Sequence, residues 1–496
     1  MDGSQGSAGP SIAIIGTGFG GLGVARYLKQ AGFHNLTIFE KKQDVGGVWR
    51  ENTYPGAACD IPSHLYSYSF EPHYPWSRRY GTQAEIHAYL RHCAKKYQLI
   101  EHVRFGHEML GAQFDASRGV WAIRFANGVT HEAQILISAV GQLHRPQLPE
   151  IPGLASFRGR SFHSATWDHS YALAGKTVAV IGTGASAVQF VPEIAPQVKQ
   201  LYLFQRSAGW VIPKMDRPYS KLERALLTNV PSLHSADRQR IFWFIEFLAS
   251  ALQRSSALKN RVAKAIFTTA NRIMMRTQLR DPVLRQKLSP DSPLGCKRTL
   301  LSNKWLPALA RPNVEVVTDT IREITPDGVV TADGKLRKVD ALIHGTGFAA
   351  SEFLAPMDLI GLEGQSLRAV WAKGAEAHLG ITVNGFPNLF VMYGPNTNLG
   401  AGSIIYMLEA QARYVTQAVS LLRDRRLRWL NVKRPAQAAF VARMREASKQ
   451  SPYESGCHSW YINAEGRNIN NWLGYMSDYS KLTARVDPEE YELQPA

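Results

Sequence analysis

The chain has 496 residues, enough for two or three domains with cores of their own, and its 45% hydrophobic and 20% charged content is that of an ordinary soluble globular protein. The formal charge of +17 is dispersed, with no nucleic-acid-binding motif, and so points to solubility and attraction of anionic cofactors rather than a nucleic-acid partner. Four cysteines, Cys59, Cys93, Cys296 and Cys457, lie far apart in sequence; this argues against a cysteine redox pair or a metal cage and predicts a reducing, cytoplasmic setting.

Residues 1–10, MDGSQGSAGP, read as a flexible polar tail with neither the basic flank nor the apolar run of a secretory signal. In the next segment, SIAIIGTGFGGLGVARYLKQAG, the run Ile12 to Ile15 reads as a buried parallel strand. Gly16, Gly18 and Gly21 follow in GxGxxG spacing and lead into a helical pattern. Such glycines permit a tight turn, close approach to a pyrophosphate and close packing of helix on strand, with the helix N-terminus facing the anion. A second strand, LTIF, ends at Glu40, 24 residues beyond Gly16. An acid in that register accepts hydrogen bonds from ribose hydroxyls and repels a 2′-phosphate, so this site suits FAD or NAD and disfavours NADP.

The pattern recurs in KTVAVIGTGASAVQF, where Gly182, Gly184 and Ala187 follow the strand Val178 to Ile181. Its second strand, LYLF, is followed by Gln205 and Arg206, and Arg206 stands 24 residues beyond Gly182, in the register of Glu40. An arginine pairs bidentately with a phosphate dianion, so the second site suits NADPH. Between the second copy and the C-terminal part, the stretch IFWFIEFLASAL (241–252) is too short to span a bilayer and contains Glu246. It reads as an amphipathic helix packed on the body of the protein, with a membrane-surface helix as the alternative. A further strand-like run, VDALIHGTGF, ends in Gly345, Thr346, Gly347 and Phe348, and GFPNLFVMYGPNTNLGAGSIIYMLEAQARYV then reads as strand, Gly/Asn-rich turn and helix.

These closing segments resemble those of two-dinucleotide flavoproteins, in which an FAD fold resumes after an inserted NADPH fold. The predicted architecture is α/β with two Rossmann-like domains: FAD-binding residues 11–150, NADPH-binding residues 151–335 with a helical excursion at about 220–277, and a second FAD-binding segment at 336–496. Two long motifs make the resemblance specific. Phe157, Gly159, His163, Trp167 and Asp168 fit F-x-G-x-x-x-H-x-x-x-W-[PD], and GGVWRENTYPGAACD places Gly46, Gly47, Trp49, Tyr54, Pro55, Gly56 and Asp60 at a second signature. On both, the chain resembles the type I Baeyer–Villiger monooxygenases from about Ile12 to Tyr479.

The resemblance implies an FAD- and NADPH-dependent monooxygenase in which a flavin C4a-peroxide attacks a ketone carbonyl to give an ester or lactone, with sulfides as further substrates. It makes Arg298, in GCKRTLL, and Asp60 the catalytic pair. It assigns FAD to Gly16, Gly18, Phe19, Gly21, Glu40, Gly46, Gly47, Val48, Trp49, Asp60, Tyr66 and Met109. NADP falls to Ala58, Cys59, Asp60, Thr183, Gly184, Ala185, Ser186, Ala187, Gln189, Arg206, Ser207, Lys297, Arg298 and Trp460, the last on a loop expected to close over the nucleotide. His163 is implied to couple cofactor placement to domain movement from a polar linker between the two folds. Departures occur at Ala349, where many members carry an acid, and in SNKWLPALARPN; both are expected near the second half of the active site. N- or S-oxygenating flavin monooxygenases carry a similar histidine motif with a different ending, and are the alternative. A disulfide reductase on the same scaffold would need a cysteine pair beside the flavin, and a non-catalytic flavin sensor would need no NADPH site.

Overall fold

In the computed structural model, which describes residues 9–252, 257–449, 451, 461–463 and 465–496, two parallel sheets carry the fold. Strand β1 (Ile12–Ile15) is buried at every position, as a strand covered on both faces requires. It pairs in parallel with β2 (Leu36–Glu40) on one side and β4 (Ile135–Ser138) on the other, and β3 (Val103–Phe105) extends the sheet beyond β2. The second sheet holds β5 (Arg160–His163), β6 (Thr177–Ile181), β7 (Gln200–Phe204), β8 (Val314–Val317) and β9 (Ala341–His344), in the spatial order β8-β7-β6-β9-β5. The chain then returns, and β10 (Leu389–Val391) pairs with β4 of the first sheet. The second fold is therefore inserted in the sequence of the first.

Two details differ from the sequence reading. Arg160–His163 is the edge strand of the second sheet rather than a linker, because its backbone pairs with Ala341–His344. Ala341–His344, assigned from sequence to the returning segment 336–496, is flanked on both sides by strands of the second sheet, so the return follows it. An apolar run of this kind reads the same in either sheet.

Helix α1 (Phe19–Gln30) follows β1, and α2 (Ala185–Ile194) follows β6, each starting at the middle glycine of its motif. Gly16 has φ +104°, and a Cβ there would lie 2.7 Å from the Ala139 carbonyl oxygen. In the second copy Ala187 replaces the third glycine and is fully buried. The excursion comprises α3 (Lys221–Asn229), α4 (Pro231–Ala249) and α5 (Leu258–Gln278). Buried Glu246 of α4 accepts hydrogen bonds from Met476 N (2.8 Å) and Ser477 Oγ (2.7 Å), and Asn271 of α5 donates to Val211 O (2.8 Å). These bonds pin the excursion against the rest of the molecule. Helix α6 (Ile404–Asp424) packs beside α1, and among the described residues no helix is long and apolar enough to cross a membrane.

The turn after β1 gives a direct test. Gly16→Ala forces an L side chain into a left-handed conformation and against Ala139, at a cost of roughly 2 kcal/mol or more. Urea unfolding should show that loss, and the variant should purify with a lower ratio of flavin to protein absorbance.

Candidate active site

The first glycine motif opens on a cavity of about 1030 Å³ between the two folds. Gly16, Gly18, Phe19, Glu40, Gly46, Gly47, Val48, Trp49, Asp60, Tyr66 and Met109 line it. A Cβ on Gly18 would meet only Gly47 Cα within 4 Å, at 3.8 Å, so the backbone here leaves room for a close-lying phosphate group. Gly21, by contrast, lies against Gly16 and serves the packing of helix on strand. Glu40 is buried and partly engaged already: Thr17 donates to it from N (3.1 Å) and Oγ1 (2.5 Å), and Lys42 from N (3.0 Å). A carboxylate has about four acceptor positions, which leaves capacity for a further donor. Trp49 Nε1 donates to Tyr66 OH at 3.0 Å, fixing two aromatic walls edge to face. Burial pushes the Tyr66 hydroxyl pKa up, so it stays protonated.

Asp60 closes the second signature and is 12% exposed. Its Oδ2 lies 3.7 Å from Arg298 Nη2, and its Oδ1 lies 3.7 Å from Lys214 Nζ and has no hydrogen-bond partner. Burial opposes the charge of Arg298, but Asp60, then Tyr461 and Tyr393, hold the guanidinium pKa above its ordinary value. Arg298 remains 38% exposed and lines the cavity, so the cation is both charge-paired and accessible. Lys214 carries no sequence motif that marks it; only its position just after the strand Val211–Ile212 brings it to Asp60.

The second glycine motif supplies another set of contacts. Lys297 Nζ donates to Ser207 Oγ, and Thr183 Oγ1 donates to Ser207 O at 3.5 Å. Burial lowers the Lys297 pKa, with neighbouring Arg206 adding to that effect against Asp291. Arg206, Ser207 and Lys297 thus converge at the end of β7, while Gly184 is exposed beside them on the motif. Ala187 packs against Gly345 and faces away from this set. Ala185, Ser186 and Gln189 instead face the cavity, with Ala58 and Cys59. Gln189 ties the folds together: its Nε2 donates to Ala58 O (2.8 Å), and its Oε1 accepts from Tyr54 OH (3.0 Å) and Ala58 N (3.3 Å).

The His163 motif is built into the second fold. His163 is 4% exposed, and its Nδ1 accepts the Ala165 N–H at 3.1 Å, which leaves the proton of the neutral ring on Nε2. Burial holds its pKa below the ordinary histidine value, against a smaller pull from the Gly347 backbone. Its ring meets Phe348 edge-on, 5.7 Å between centroids. Trp167 packs on Phe162 and on Phe190 of α2, each at 5.2 Å. Phe157 joins an apolar cluster below the sheet, a Cβ on Gly159 would meet Asp340 O at 2.5 Å, and Asp168 pairs with Arg160.

Comparison with known proteins gives the family of the chain. Residues 9–222 match a family model described as FMO-like, flavin-binding monooxygenase-like. A Baeyer-Villiger monooxygenase of Pseudomonas aeruginosa is 42% identical over 487 residues, 97% of this chain and 91% of that protein. One of Streptomyces coelicolor is 42% identical over 488 residues, 98% of this chain and 93% of that protein. The chain belongs to the Baeyer–Villiger monooxygenases.

A solved steroid monooxygenase bound to NADP matches with a TM-score of 0.86 at 28% identity, over 99% of this chain and 100% of that one. OTEMO in complex with FAD and NADP matches with a TM-score of 0.86 at 26% identity, over 98% and 100%. This Baeyer–Villiger monooxygenase is an NADPH-dependent flavoprotein with FAD and NADPH as cofactors. Some expectations are refined and others revised. Trp305 and Leu306 of SNKWLPALARPN pack in the core of the second fold, and Ala349 donates its N–H to Arg145 O where the chain crosses between folds; these residues do not line the cavity themselves, but their neighbours Leu301 and Phe348 do, so both departures lie at its edge. Cys59 and Cys93 are free and buried, but Cys296 is disulfide-bonded, because distance in sequence does not report distance in space. Burial pushes the Cys59 thiol up to about 12, so it is inert. Trp460 lies outside the described residues.

His344, next to the His163 motif on β9, yields a pH prediction. It is 1% exposed, its Nε2 shares a proton with Ser161 Oγ at 2.9 Å, and burial, then His163, lower its pKa from 6.5 to about 4. A depressed folded-state pKa means that the unfolded chain binds the proton first, so stability falls as pH drops from 6.5 toward 4. Between pH 7 and pH 5 this group alone should remove about 2 kcal/mol of unfolding free energy. Urea titrations at the two pH values should show a smaller difference for His344→Gln than for the wild type.

Proposed function

We propose that the enzyme inserts one oxygen atom of O₂ beside the carbonyl carbon of an apolar ketone, with Arg298 and Asp60 as its catalytic pair. The observation that carries this reading is the Arg298 guanidinium, held against Asp60 at 3.7 Å and facing the cavity that the first glycine motif lines. In balance, a ketone, O₂, NADPH and a proton give an ester or lactone, water and NADP⁺. Bound FAD supplies the activation of O₂ and NADPH the hydride. The chain's own part is to bind, orient and stabilise charge. A preorganised cation is worth most where negative charge develops on a reacting oxygen in a water-poor site. Arg298 supplies that cation, and Asp60 keeps it in place. The unpartnered Oδ1 of Asp60 is an acceptor for the nicotinamide amide.

The remaining roles follow from chemistry and position. Glu40 takes the FAD ribose, the backbone at Gly16, Gly18 and Gly47 the pyrophosphate, and Trp49 and Tyr66 wall the flavin. Arg206, Ser207 and Lys297 take the 2′-phosphate of NADPH. Beyond Arg298 the cavity wall is apolar, with Ile241, Ile245, Leu248, Phe267 and Leu301, which suits an apolar ketone. Sulfides fit the same wall and are included as substrates.

Coenzyme choice tests the second site. Arg206→Ala should raise the KM for NADPH about 10- to 100-fold and leave that for NADH nearly unchanged, since only a phosphate contact is lost. Equal losses with both coenzymes would make Arg206 structural.

The reaction itself is tested with a ketone and sulfide panel under ¹⁸O₂. One label should appear as the bridging oxygen of the ester, with one NADPH consumed per ester. Arg298→Ala should retain FAD but form ester about 10²- to 10³-fold more slowly. If every ketone gives only hydrogen peroxide while amines or sulfides turn over, the enzyme oxygenates heteroatoms instead.

A further inference from the structure

The helical excursion leaves large apolar side chains in solvent. On α5, Leu258 is 74% exposed, Val262 44%, Ile266 45% and Ile273 57%. At 100° per residue these four positions fall within an arc of about 80°, so they form one stripe. The opposite side of α5 is buried through Ala263, Phe267 and Met274, so the stripe is additional to the face that packs on the protein. Trp243 (63%) and Phe244 (43%) on α4 are exposed as well. Isolated exposed apolar residues need no explanation, but a stripe on one helix with a tryptophan on the next does.

The charge of α5 is one-sided. It carries Lys259, Arg261, Lys264, Arg272 and Arg276 and neither Asp nor Glu. Within the described residues, no ion pair engages Arg261, Arg272 or Arg276, which are all exposed and lie on or beside the edge of the stripe. An apolar stripe bordered by unneutralised cations is the composition of a helix that lies in a lipid–water interface. It is also a poor surface for a second copy of the chain, because two such helices face to face would oppose their cations. The stripe further adjoins the cavity: Phe244 and Ile266 are both exposed and cavity-lining, so they form part of its rim.

We propose that this face of α4 and α5 docks on the surface of an anionic phospholipid bilayer, with the rim of the active-site cavity turned toward the lipid. Apolar side chains enter the headgroup boundary, and the flanking arginines meet lipid phosphates. The docking stands independently of the chemistry in the cavity. That the bilayer also delivers an apolar substrate rests on the ketone reading above, and vesicle binding is measured without any turnover.

The test uses full-length, FAD-loaded protein and flotation with phosphatidylcholine vesicles, with or without phosphatidylglycerol. The protein should bind the anionic vesicles about tenfold or more tightly than the neutral ones, and raised salt should weaken that binding. Trp243→Ser combined with Val262→Ser and Ile273→Ser should weaken it at least about tenfold. A second variant, Arg261→Glu with Arg272→Glu and Arg276→Glu, keeps the stripe intact and should lose the preference for phosphatidylglycerol. Circular dichroism and flavin content show whether each variant is folded, and the charge variant keeps the test open if the other fails. No binding by the wild type, or equal binding by the charge variant, overturns the proposal. So does a concentration-dependent dimer in sedimentation equilibrium that the serine variant abolishes, since the stripe would then cover a second copy.

Discussion

One carboxylate organises the site. Asp60 lies in the irregular segment between β2 and β3 of the first fold, while both its cationic neighbours, Lys214 and Arg298, come from the segment inserted between the halves of that fold. Removing a charge from water is expensive unless opposite charge is close, so a largely buried Asp60 requires these cations near it. Both lie at 3.7 Å, beyond hydrogen-bond distance, and Oδ1 is left without a donor. The electrostatics are therefore set while hydrogen-bonding capacity remains for a ligand. The same constraint explains why the loop carrying Asp60 is held so firmly, by Gln189 on one side and by the Gly81 carbonyl, which accepts the Cys59 N–H at 2.9 Å, on the other.

The two dinucleotide folds are the same solution with opposite end charges. Each has a strand, a glycine turn at high positive φ, and a helix that starts at the middle glycine. They diverge at the end of the second strand, where Glu40 is buried and hydrogen-bonded to Thr17, and Arg206 is exposed near Lys297. An acid in that place disfavours a phosphate on the ribose, and a pair of cations favours one. The two folds thus differ in the charge they offer a ribose while sharing one backbone plan.

Much of this was legible in the sequence because it depends on local geometry. The glycine turns need particular residues at fixed offsets, and the register of Glu40 and Arg206 follows from the length of one βαβ unit. The insertion of one fold in the other follows from the order of such units. Other features depend on tertiary contact and left no trace. Lys214 reaches Asp60 only because the strand Val211–Ile212 aims the next residues at the cavity. The polar composition of Arg160–His163 suggested a linker, yet an edge strand pairs on one side only and tolerates exposed Arg160 and Ser161. The disulfide at Cys296 and the core position of Trp305 were hidden for the same reason: both concern what lies near in space, and nothing local requires them.

His163 sits where the chain passes between the two folds. The chain crosses between them twice, and the crossings pair with each other: Gln147 N–H donates to Gly347 O at 3.0 Å, and Ala349 N–H to Arg145 O at 3.0 Å. A paired, two-strand crossing can bend, but its strands cannot shift independently. The His163 ring packs on Phe348 of that crossing and is itself fixed to the second fold by the Ala165 N–H and by the pairing of β5 with β9. Its neutrality matters here, since a buried imidazolium at that contact would need a counter-charge, and burial keeps the pKa low. Across the crossing, Ala58 and Asp60 belong to one fold, and Gln189 and Arg298 to the inserted segment. Any rotation about the crossing must therefore change the Ala58–Gln189 bonds and the Asp60–Arg298 separation together. His163 meets the crossing through Phe348, and Ala58, Asp60, Gln189 and Arg298 are the groups that face one another across it.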